Sequence, residues 1–441
     1  MSILTSQRLG YQKALTVRTR FTAPNNVRIG YLVVGRPIAW NANDTPSVAT
    51  DTTQQQFDTA NFLLAGKKIT GNDVALIIPR KNWTANTVYT QYDDRSTALF
   101  SSANSMYVYT SAGNVYKCLS NGGGLPSTIQ PSGDYLTNNG VITQGDGYIW
   151  KYMYKIDSSD KFITSSWMPV PTEQNVNYFG HANNVVAGSI SSIILESGGT
   201  GYVANSTNVS ITGSGVSATA SANVSNGVIT HIRVLNPGIS YTRQNTHITI
   251  TGVGANANAR IVLADIYGHA YNPAQELGAN SVMFSVKIGE GDATEGGLIT
   301  ANNDFRQVGL LMEPHKYNSN VAVSIDTANL VVKLTTACIL TSGGALQLDE
   351  LVYQGSSVAN ATFTGYVADL KSNSIEVVGI EGSPTVGIAI RGNTSGSLRT
   401  LVSVTPPDLQ IGSGDLVYIE NIAPITRSVG QAESIKLILQ F

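Results

Sequence analysis

The sequence predicts a mainly β protein, in which a β-sandwich core with a few short helices carries two inserted all-β domains. Three observations lead to this fold class. Short apolar runs recur along the chain between turns rich in glycine, serine and asparagine. Charged residues make up only 13% of the chain, about half the usual share. In addition, one 39-residue pattern occurs twice in the middle of the chain, which is typical of repeated β units.

Residues 145–156, GDGYIWKYMYKI, form the most regular strand pattern. An Asp-Gly turn precedes an alternation that places four aromatic side chains on one face: Tyr148, Trp150, Tyr152 and Tyr154. Each large ring buries about 150–250 Å², so we predict a strand at the centre of a sheet, with Trp83 and Trp167 at its margins. Residues 105–109 and 115–119 predict a hairpin that pairs with this strand.

The first part of the chain predicts strands and one clear helix. The helix is predicted to begin at Thr53, whose hydroxyl would form a capping box with Gln56. It would end at Gly66, and its apolar face would carry Phe57, Ala60, Leu63 and Leu64. The predicted strands are 14–21, 27–34 and 74–79, and the predicted loops are 84–104 and 120–142.

Residues 185–264 contain the internal repeat and are predicted to be the first inserted domain. A constant offset of 39 residues relates Ile193, Leu195, Gly199, Tyr202, Gly213 and Gly215 to Ile232, Val234, Gly238, Tyr241, Gly252 and Gly254. One such unit cannot bury its own apolar face, so we predict that the two copies complete each other's core. The equivalent positions of Tyr202 and Tyr241 favour a structural anchor in each unit over a sugar-binding platform.

Residues 318–408 are predicted to be the second inserted domain, a small barrel or sandwich. Its predicted strands are 330–334, 350–353, 361–367, 374–378, 386–390 and 398–404. The remaining segments, 1–184, 265–317 and 409–441, would form one discontinuous core. In that core we predict a helix at 272–277, capped by Asn272, and strands at 282–288, 416–419 and 434–441.

The residue types that usually carry chemistry are scattered. The five histidines are expected at the surface or in turns: His181, His231, His247, His269 and His315. Cys118 and Cys338 are predicted to be buried free thiols in a chain that folds in a reducing cytoplasm. Acidic residues occur in pairs and clusters at Asp93-Asp94 and at Glu290, Asp292 and Glu295. The second cluster could hold calcium, but a solvated loop is the preferred interpretation.

The sequence contains neither a nucleotide-binding glycine motif nor a nucleophile elbow, so we expect no enzymatic activity, no cofactor and no metal. A net charge of −2 provides no basic surface for nucleic acid. No run approaches the ~20 apolar residues of a membrane span, and the amino terminus lacks the apolar region of a signal peptide. A soluble protein is therefore expected.

Six sequence blocks occur in an order that resembles the baseplate wedge protein family, encoded by gene eight, of T-even-type contractile-tailed bacteriophages. They are IIPRKNW (77–83), NVYKCLSN (114–121), QGDGYIWKYMYKI (144–156), WMPVP (167–171), DFRQVGLLMEP (304–314) and GDLVYIENIAPITRSVGQAESIKLILQF (414–441). The two predicted inserts lie outside these blocks, and residues 1–70 match only weakly.

The resemblance implies a structural subunit of the tail baseplate in the virion, assembled in the host cytoplasm. It also implies a homodimer that joins neighbouring wedge proteins. Arg80, Arg306 and Arg427 lie in the matched blocks and are candidates for bidentate contacts across such joints. The inserts could contact fibre or peripheral baseplate proteins. The alternative is a receptor-binding or fibre-attachment module of the tail that uses the inserted β domains.

Overall fold

The computed structural model describes residues 6–22, 28–96, 99–100, 105–136, 138–172, 186–264, 268–288, 303–323, 330–427 and 431–441. These residues are mainly β, which confirms the predicted fold class. They belong to two compact units. Unit 1 lies within Met1–Leu15, Ala75–Met283 and Leu439–Phe441, and unit 2 lies within Thr16–Val74 and Phe284–Ile438.

The described helices are α1 (Gln7–Thr22), α2 (Thr53–Asn61) and α3 (Pro273–Glu276). The first strands are β1 (Gly30–Gly35), β2 (Leu63–Lys68), β3 (Val74–Pro79), β4 (Tyr107–Tyr109), β5 (Asn114–Asn121), β6 (Val141–Thr143), β7 (Tyr148–Lys155) and β8 (Trp167–Pro169). The next strands are β9 (Ile190–Thr200), β10 (Asn208–Thr212), β11 (Thr219–Ser225), β12 (Val228–Asn236), β13 (His247–Thr251), β14 (Ala255–Leu263), β15 (Ser281–Ile288) and β16 (Phe305–Met312). The last strands are β17 (Val331–Lys333), β18 (Thr336–Leu340), β19 (Leu351–Gln354), β20 (Phe363–Lys371), β21 (Ser374–Gly382), β22 (Ala389–Gly392), β23 (Leu398–Thr405), β24 (Asp415–Ile425) and β25 (Glu433–Gln440).

Unit 1 contains an antiparallel sheet with the strand order β4-β5-β7-β6. Strand β7 lies inside this sheet, and β4 and β5 form the hairpin beside it, as the alternation predicted. Both faces of β7 are buried from Tyr148 to Tyr154. The same unit pairs β3 with β8 through Ile77 and Pro169. The asparagine cap predicted for α3 is also present, because the Asn272 side chain accepts a hydrogen bond from the Gln275 amide.

The repeat in unit 1 produces two equivalent sets of strands, β9 to β11 and β12 to β14. They form the sheets β12-β11-β10-β13 and β14-β9. The copies exchange equivalent backbone hydrogen bonds: the Tyr202 amide donates to the Gly227 carbonyl at 3.0 Å, and the Tyr241 amide donates to the Gly188 carbonyl at 2.9 Å. The two copies also share one apolar core, as predicted.

A glycine in each repeat allows the tyrosine of the other repeat to approach closely. A Cβ on Gly215 would lie 2.4 Å from the Tyr241 ring, and a Cβ on Gly254 would lie 2.5 Å from the Tyr202 ring. Any side chain at either position would therefore displace the ring. Both tyrosines are buried, so the equivalent residues form reciprocal contacts.

Unit 2 contains a five-stranded sheet with the order β17-β2-β1-β16-β24. It also contains a closed barrel in the order β18-β21-β20-β19-β22-β23. The barrel confirms one of the two architectures predicted for residues 318–408, although one strand was assigned wrongly. Residues 330–334 overlap β17, which pairs with β2 instead, and the barrel uses β18, which the sequence analysis missed. Alternation alone does not identify the partner of a short strand.

The strand predicted at residues 14–21 is wrong, because these residues belong to helix α1. The buried side chains of this helix are Tyr11, Ala14 and Phe21. They are three and seven residues apart, which is the period of one helix face. The apolar residues of this short segment fit both the two-residue period of a strand and the 3.6-residue period of a helix.

Helix α2 exists but ends at Asn61 instead of Gly66. Its N-cap is Thr52, whose hydroxyl accepts from the Gln55 amide, one position before the predicted box. Leu63 and Leu64 belong to β2, and Phe57 is 61% exposed, so the predicted apolar face is wrong. The backbone of residues 63–68 pairs with β1 instead of continuing the hydrogen bonds of the helix.

Candidate functional site

The aromatic residues of β7 form the centre of a buried cluster on one face of the sheet in unit 1. Its members are Tyr89, Val108, Tyr116, Cys118, Tyr148, Trp150 and Tyr152, with Trp83 packed at its margin. We call this set the aromatic cluster. The rings of Tyr148 and Trp150 stack at a centroid distance of 5.3 Å, and Tyr89 meets Trp150 edge-on at 5.5 Å. Such pairs are favourable beyond the area that they bury.

The polar atoms of these rings form hydrogen bonds with residues of the segments that precede β4, β6 and β7. Trp150 Nε1 donates to the Gln144 side chain at 2.9 Å, and the Tyr148 hydroxyl donates to the Leu125 carbonyl at 2.6 Å. The Tyr148 hydroxyl also accepts from the Tyr89 amide. The hydroxyl of Tyr116 donates to the Gly133 carbonyl. Buried tyrosine and tryptophan therefore satisfy their polar atoms while they fill the core.

Tyr154 is buried but does not join the aromatic cluster, contrary to the single face predicted for the four rings. It lies beyond a register shift between Val115 and Tyr116. Among the described residues, its hydroxyl has no hydrogen-bond partner. Trp167, the other tryptophan predicted at the margin of β7, is not part of the aromatic cluster; it is half-buried in β8, which pairs with β3, and lies opposite Pro79.

The three candidate arginines all contact other parts of their own unit. Arg80 donates to the Thr164 carbonyl at 2.9 Å, and its guanidinium lies over the Tyr109 ring. Arg306 is buried, and its Nε lies 2.9 Å from both carboxylate oxygens of Asp44. Arg427 Nε lies 2.9 Å from a carboxylate oxygen of Glu433. Their role in contacts between subunits stays a prediction.

A buried ionic cluster, which was not predicted from the sequence, lies on the opposite face of β5 and β7. Lys117 of β5 stands directly opposite Lys151 of β7, and both lysines are buried. Lys117 Nζ lies 3.1 Å from Glu276 Oε2 and 3.0 Å from His269 Nδ1. We call these four residues the ionic cluster. Two like charges in register destabilise a sheet, so Glu276 of α3 has a clear electrostatic role.

His269 connects the ionic cluster to the first repeat strand. Its Nε2 lies 2.8 Å from the hydroxyl of Ser191 in β9. Since Nδ1 faces the ammonium group of Lys117, we assign Nδ1 as the acceptor and place the proton on Nε2. Lys117 Nζ also lies 3.8 Å from the centroid of the Tyr92 ring, a distance at which a cation is attracted to the ring face.

Burial shifts the pKa values in the ionic cluster. It lowers the pKa of Lys151 to about 7, against the attraction of Glu276. It lowers the pKa of His269 to about 4, and the charge of Lys117 adds to this effect. For Glu276, burial acts to raise the pKa, but Lys117 and His269 outweigh it and lower the pKa to about 2. At neutral pH, an ionised Glu276 beside a neutral His269 imidazole follows from these values.

The geometry of the ionic cluster suits a structural connection between β5, β9 and α3. The side chains of Lys117 and Glu276 are 0% and 4% exposed, so the pair is closed to solvent. The surface or turn position expected for His269 is wrong, since the residue is buried within this cluster. A signal was present in the sequence: Lys117 and Lys151 interrupt the otherwise apolar or aromatic stretches 115–119 and 148–154.

Other predicted sites have mixed outcomes. Cys118 and Cys338 are buried free thiols, as predicted, and burial raises the pKa of both. Asp93 and Asp94 form ion pairs with Arg260 of β14. His181 and the acidic loop with Glu290, Asp292 and Glu295 lie outside the described residues.

Neither a metal-binding group nor a membrane-spanning helix occurs in the described part of the structure. No group of three or more His, Cys, Asp or Glu residues there could hold a metal ion. None of the helices in the same part has the length and hydropathy needed to cross a bilayer.

The fold and these clusters define a mainly β protein with buried aromatic and ionic clusters on the two faces of one sheet. No protein-family model matches the chain, and no curated protein matches it either.

Proposed function

We propose that the protein is a structural subunit of a phage tail baseplate wedge, that it acts as a homodimer, and that it joins neighbouring wedge proteins. One observation carries the proposal. The six sequence blocks that resemble the wedge family form three antiparallel strand pairs. Residues 77–83 and 167–171 meet in β3–β8, residues 114–121 and 144–156 meet in β5–β7, and residues 304–314 and 414–441 meet in β16–β24.

The pairing supports the proposal because the two strands of each pair supply each other's backbone hydrogen-bonding partners, so the two blocks of a pair depend on each other. The longest separation is between β16 and β24, which pair across the entire barrel sequence. A framework with a buried aromatic cluster and a closed ion pair also resists deformation, as a mechanical part must. The inserts lie outside the paired blocks and are proposed to contact fibre or peripheral baseplate proteins.

Immunogold electron microscopy of intact phage particles tests this proposal. Antibody raised against the purified chain is expected to label the plate at the distal end of the tail. The control is the same antibody after absorption with the purified chain. Label confined to the fibre tips would instead favour the receptor-binding or fibre-attachment alternative. Particles without label would remove the protein from the virion and contradict both.

A further inference from the structure

Strand β24 provides an open sheet edge in unit 2. It pairs with β16 on one side, and no described strand pairs with its other side. A preceding loop covers one end of this edge, where Trp40 Nε1 donates to the Ile422 carbonyl at 3.1 Å and Asn421 donates to the Ser47 carbonyl. No such bond from a described loop reaches residues 415–420. The free backbone groups of such an edge can pair with an added strand.

An apolar pocket lies beside the beginning of this edge. Its volume is about 210 Å³. The pocket is lined by Leu63, Leu311, Leu334, Leu409 and Leu416, with Gln56 among its polar lining residues. It is smaller than the usual small-molecule site of ~300–1,000 Å³ but larger than a cavity of ~150 Å³ that holds benzene. One large apolar side chain fits this size best.

Two segments beside the pocket and the edge carry acidic but no basic side chains, and a basic residue on the neighbouring segment is Lys316, which pairs with Leu409 of the pocket lining. Helix α2 with its preceding turn, residues 51–61, and the segment 409–425 together contain four carboxylates and neither lysine nor arginine: Asp51, Asp58, Asp415 and Glu420. All four residues are exposed. The carboxylate of Glu420 accepts a hydrogen bond only from the neutral Tyr418 hydroxyl among the described side chains. A basic partner would therefore be favoured by charge complementarity.

We propose that residues 415–420 accept an extended segment of a partner protein as an added strand. The segment places one large apolar side chain in the leucine-lined pocket and carries lysine or arginine beside the four carboxylates. Backbone hydrogen bonds provide affinity for any extended chain, and the pocket and the charges select the sequence. This site does not depend on the role of the protein in a baseplate.

Binding of synthetic peptides to the full chain tests the proposal. The probe is a fluorescent peptide that alternates lysine and valine around one phenylalanine, measured by anisotropy. We expect saturable binding with Kd below about 1 mM. Two N-methylated versions of the peptide keep its side chains, and each loses the N–H donors along one edge, because alternate amides of an extended strand point to the same edge. We expect at least one of the two not to bind. Equal binding of all three peptides would contradict strand addition.

Two pairs of variants locate the bound peptide. Gln56→Trp narrows the pocket and is expected to weaken binding at least about tenfold, whereas Gln54→Trp on the same helix does not line the pocket and should have no effect. Glu420→Lys should also weaken binding, and Glu381→Lys, at an exposed position of the barrel, should not. Peptide binding should slow hydrogen exchange of the amides in residues 415–420. Unchanged binding to Gln56→Trp, or unchanged exchange at 415–420, would overturn the proposal.

Two results would identify a different occupant and overturn the proposed partner. If the chain sediments as a dimer and Glu420→Lys alone makes it monomeric, a second copy occupies the edge. If free indole binds the pocket and the basic peptide does not, the site takes a small apolar molecule. Both measurements are independent of immunogold labelling, so failure of the baseplate proposal and failure of this one can be distinguished.

Discussion

The sheet containing β7 and the repeat strands of unit 1 achieve burial in different ways. The sheet uses large rings on one face and charged groups on the other, with Trp150 and Lys117 both inaccessible to solvent. The repeat uses small and aliphatic residues with one tyrosine per copy, and glycine lets each ring approach the other copy's backbone. In the sheet, stability therefore depends on a few large side chains. In the repeat, stability depends on glycines that have no side chain and therefore leave room for the tyrosine rings.

The largest expected effect is the loss of Trp150. Trp150→Ala should lower the free energy of unfolding by about 3–5 kcal/mol, because it removes a buried ring and leaves a cavity. Urea denaturation followed by circular dichroism measures this loss. Leu136→Ala, at a side chain that is 71% exposed, should change the same free energy by less than about 0.5 kcal/mol. Similar small losses in both variants would mean that the aromatic cluster does not dominate the sheet.

The next effect concerns pH and the charged face of the sheet. The folded-state pKa of His269 is lowered to about 4 from 6.5, so the unfolded chain binds a proton more readily. The contribution of His269 to the free energy of unfolding is complete above pH 6.5. It is lost as pH falls from 6.5 to 4, by about 3 kcal/mol in total. Urea denaturation at several pH values should show a smaller decrease for His269→Gln than for the unchanged protein. His247→Gln, at an exposed position of β13, should keep the full decrease, and identical profiles for both variants would exclude His269 as the cause.

Larger side chains at two glycine positions should destabilise the repeat. Gly215→Ala and Gly254→Ala each place a methyl group against a tyrosine ring, and each should cost about 1–3 kcal/mol. The reciprocal contacts predict similar costs at both positions. Gly252 lies in the same copy as Gly254, and a Cβ there would be 3.4 Å from its nearest neighbour, the Ser206 carbonyl oxygen. Gly252→Ala should therefore be tolerated. Thermal unfolding of the three variants makes the comparison, and a harmless Gly254→Ala beside a harmful Gly215→Ala would break the proposed equivalence.

The smallest effect should be a gain in stability from Lys151→Met. Two lysines share one carboxylate in the ionic cluster, so loss of one leaves the Lys117–Glu276 pair intact, and about 1 kcal/mol of stabilisation at pH 7 is expected. The folded-state pKa of Lys151 is lowered to about 7 from 10.5, so its unfavourable contribution weakens as pH rises between these values. The gain should therefore shrink towards pH 10.5. Lys155→Met, at the exposed end of β7, should show no gain that depends on pH.

Much of the candidate core was predictable from the sequence, but its polar part was not. Alternation identified β7 and its hairpin because each successive side chain of a strand points to the opposite face. The same rule placed Lys151 on the second face but could not show that this face is also buried. Glu276 and His269 come from a distant segment, and their approach to Lys117 depends on the folded chain.

The sequence by itself determined the mainly β class, the 39-residue repeat, the cap of α3 and the central strand, because these depend on local periodicity, turns and self-similarity. The tertiary structure decided whether 14–21 is helix or strand, where α2 ends, and which strand closes the barrel. It also decided the register shift at Val115 that separates Tyr154 from the other rings. Short apolar runs fit more than one period, and only packing against distant segments selects one of them.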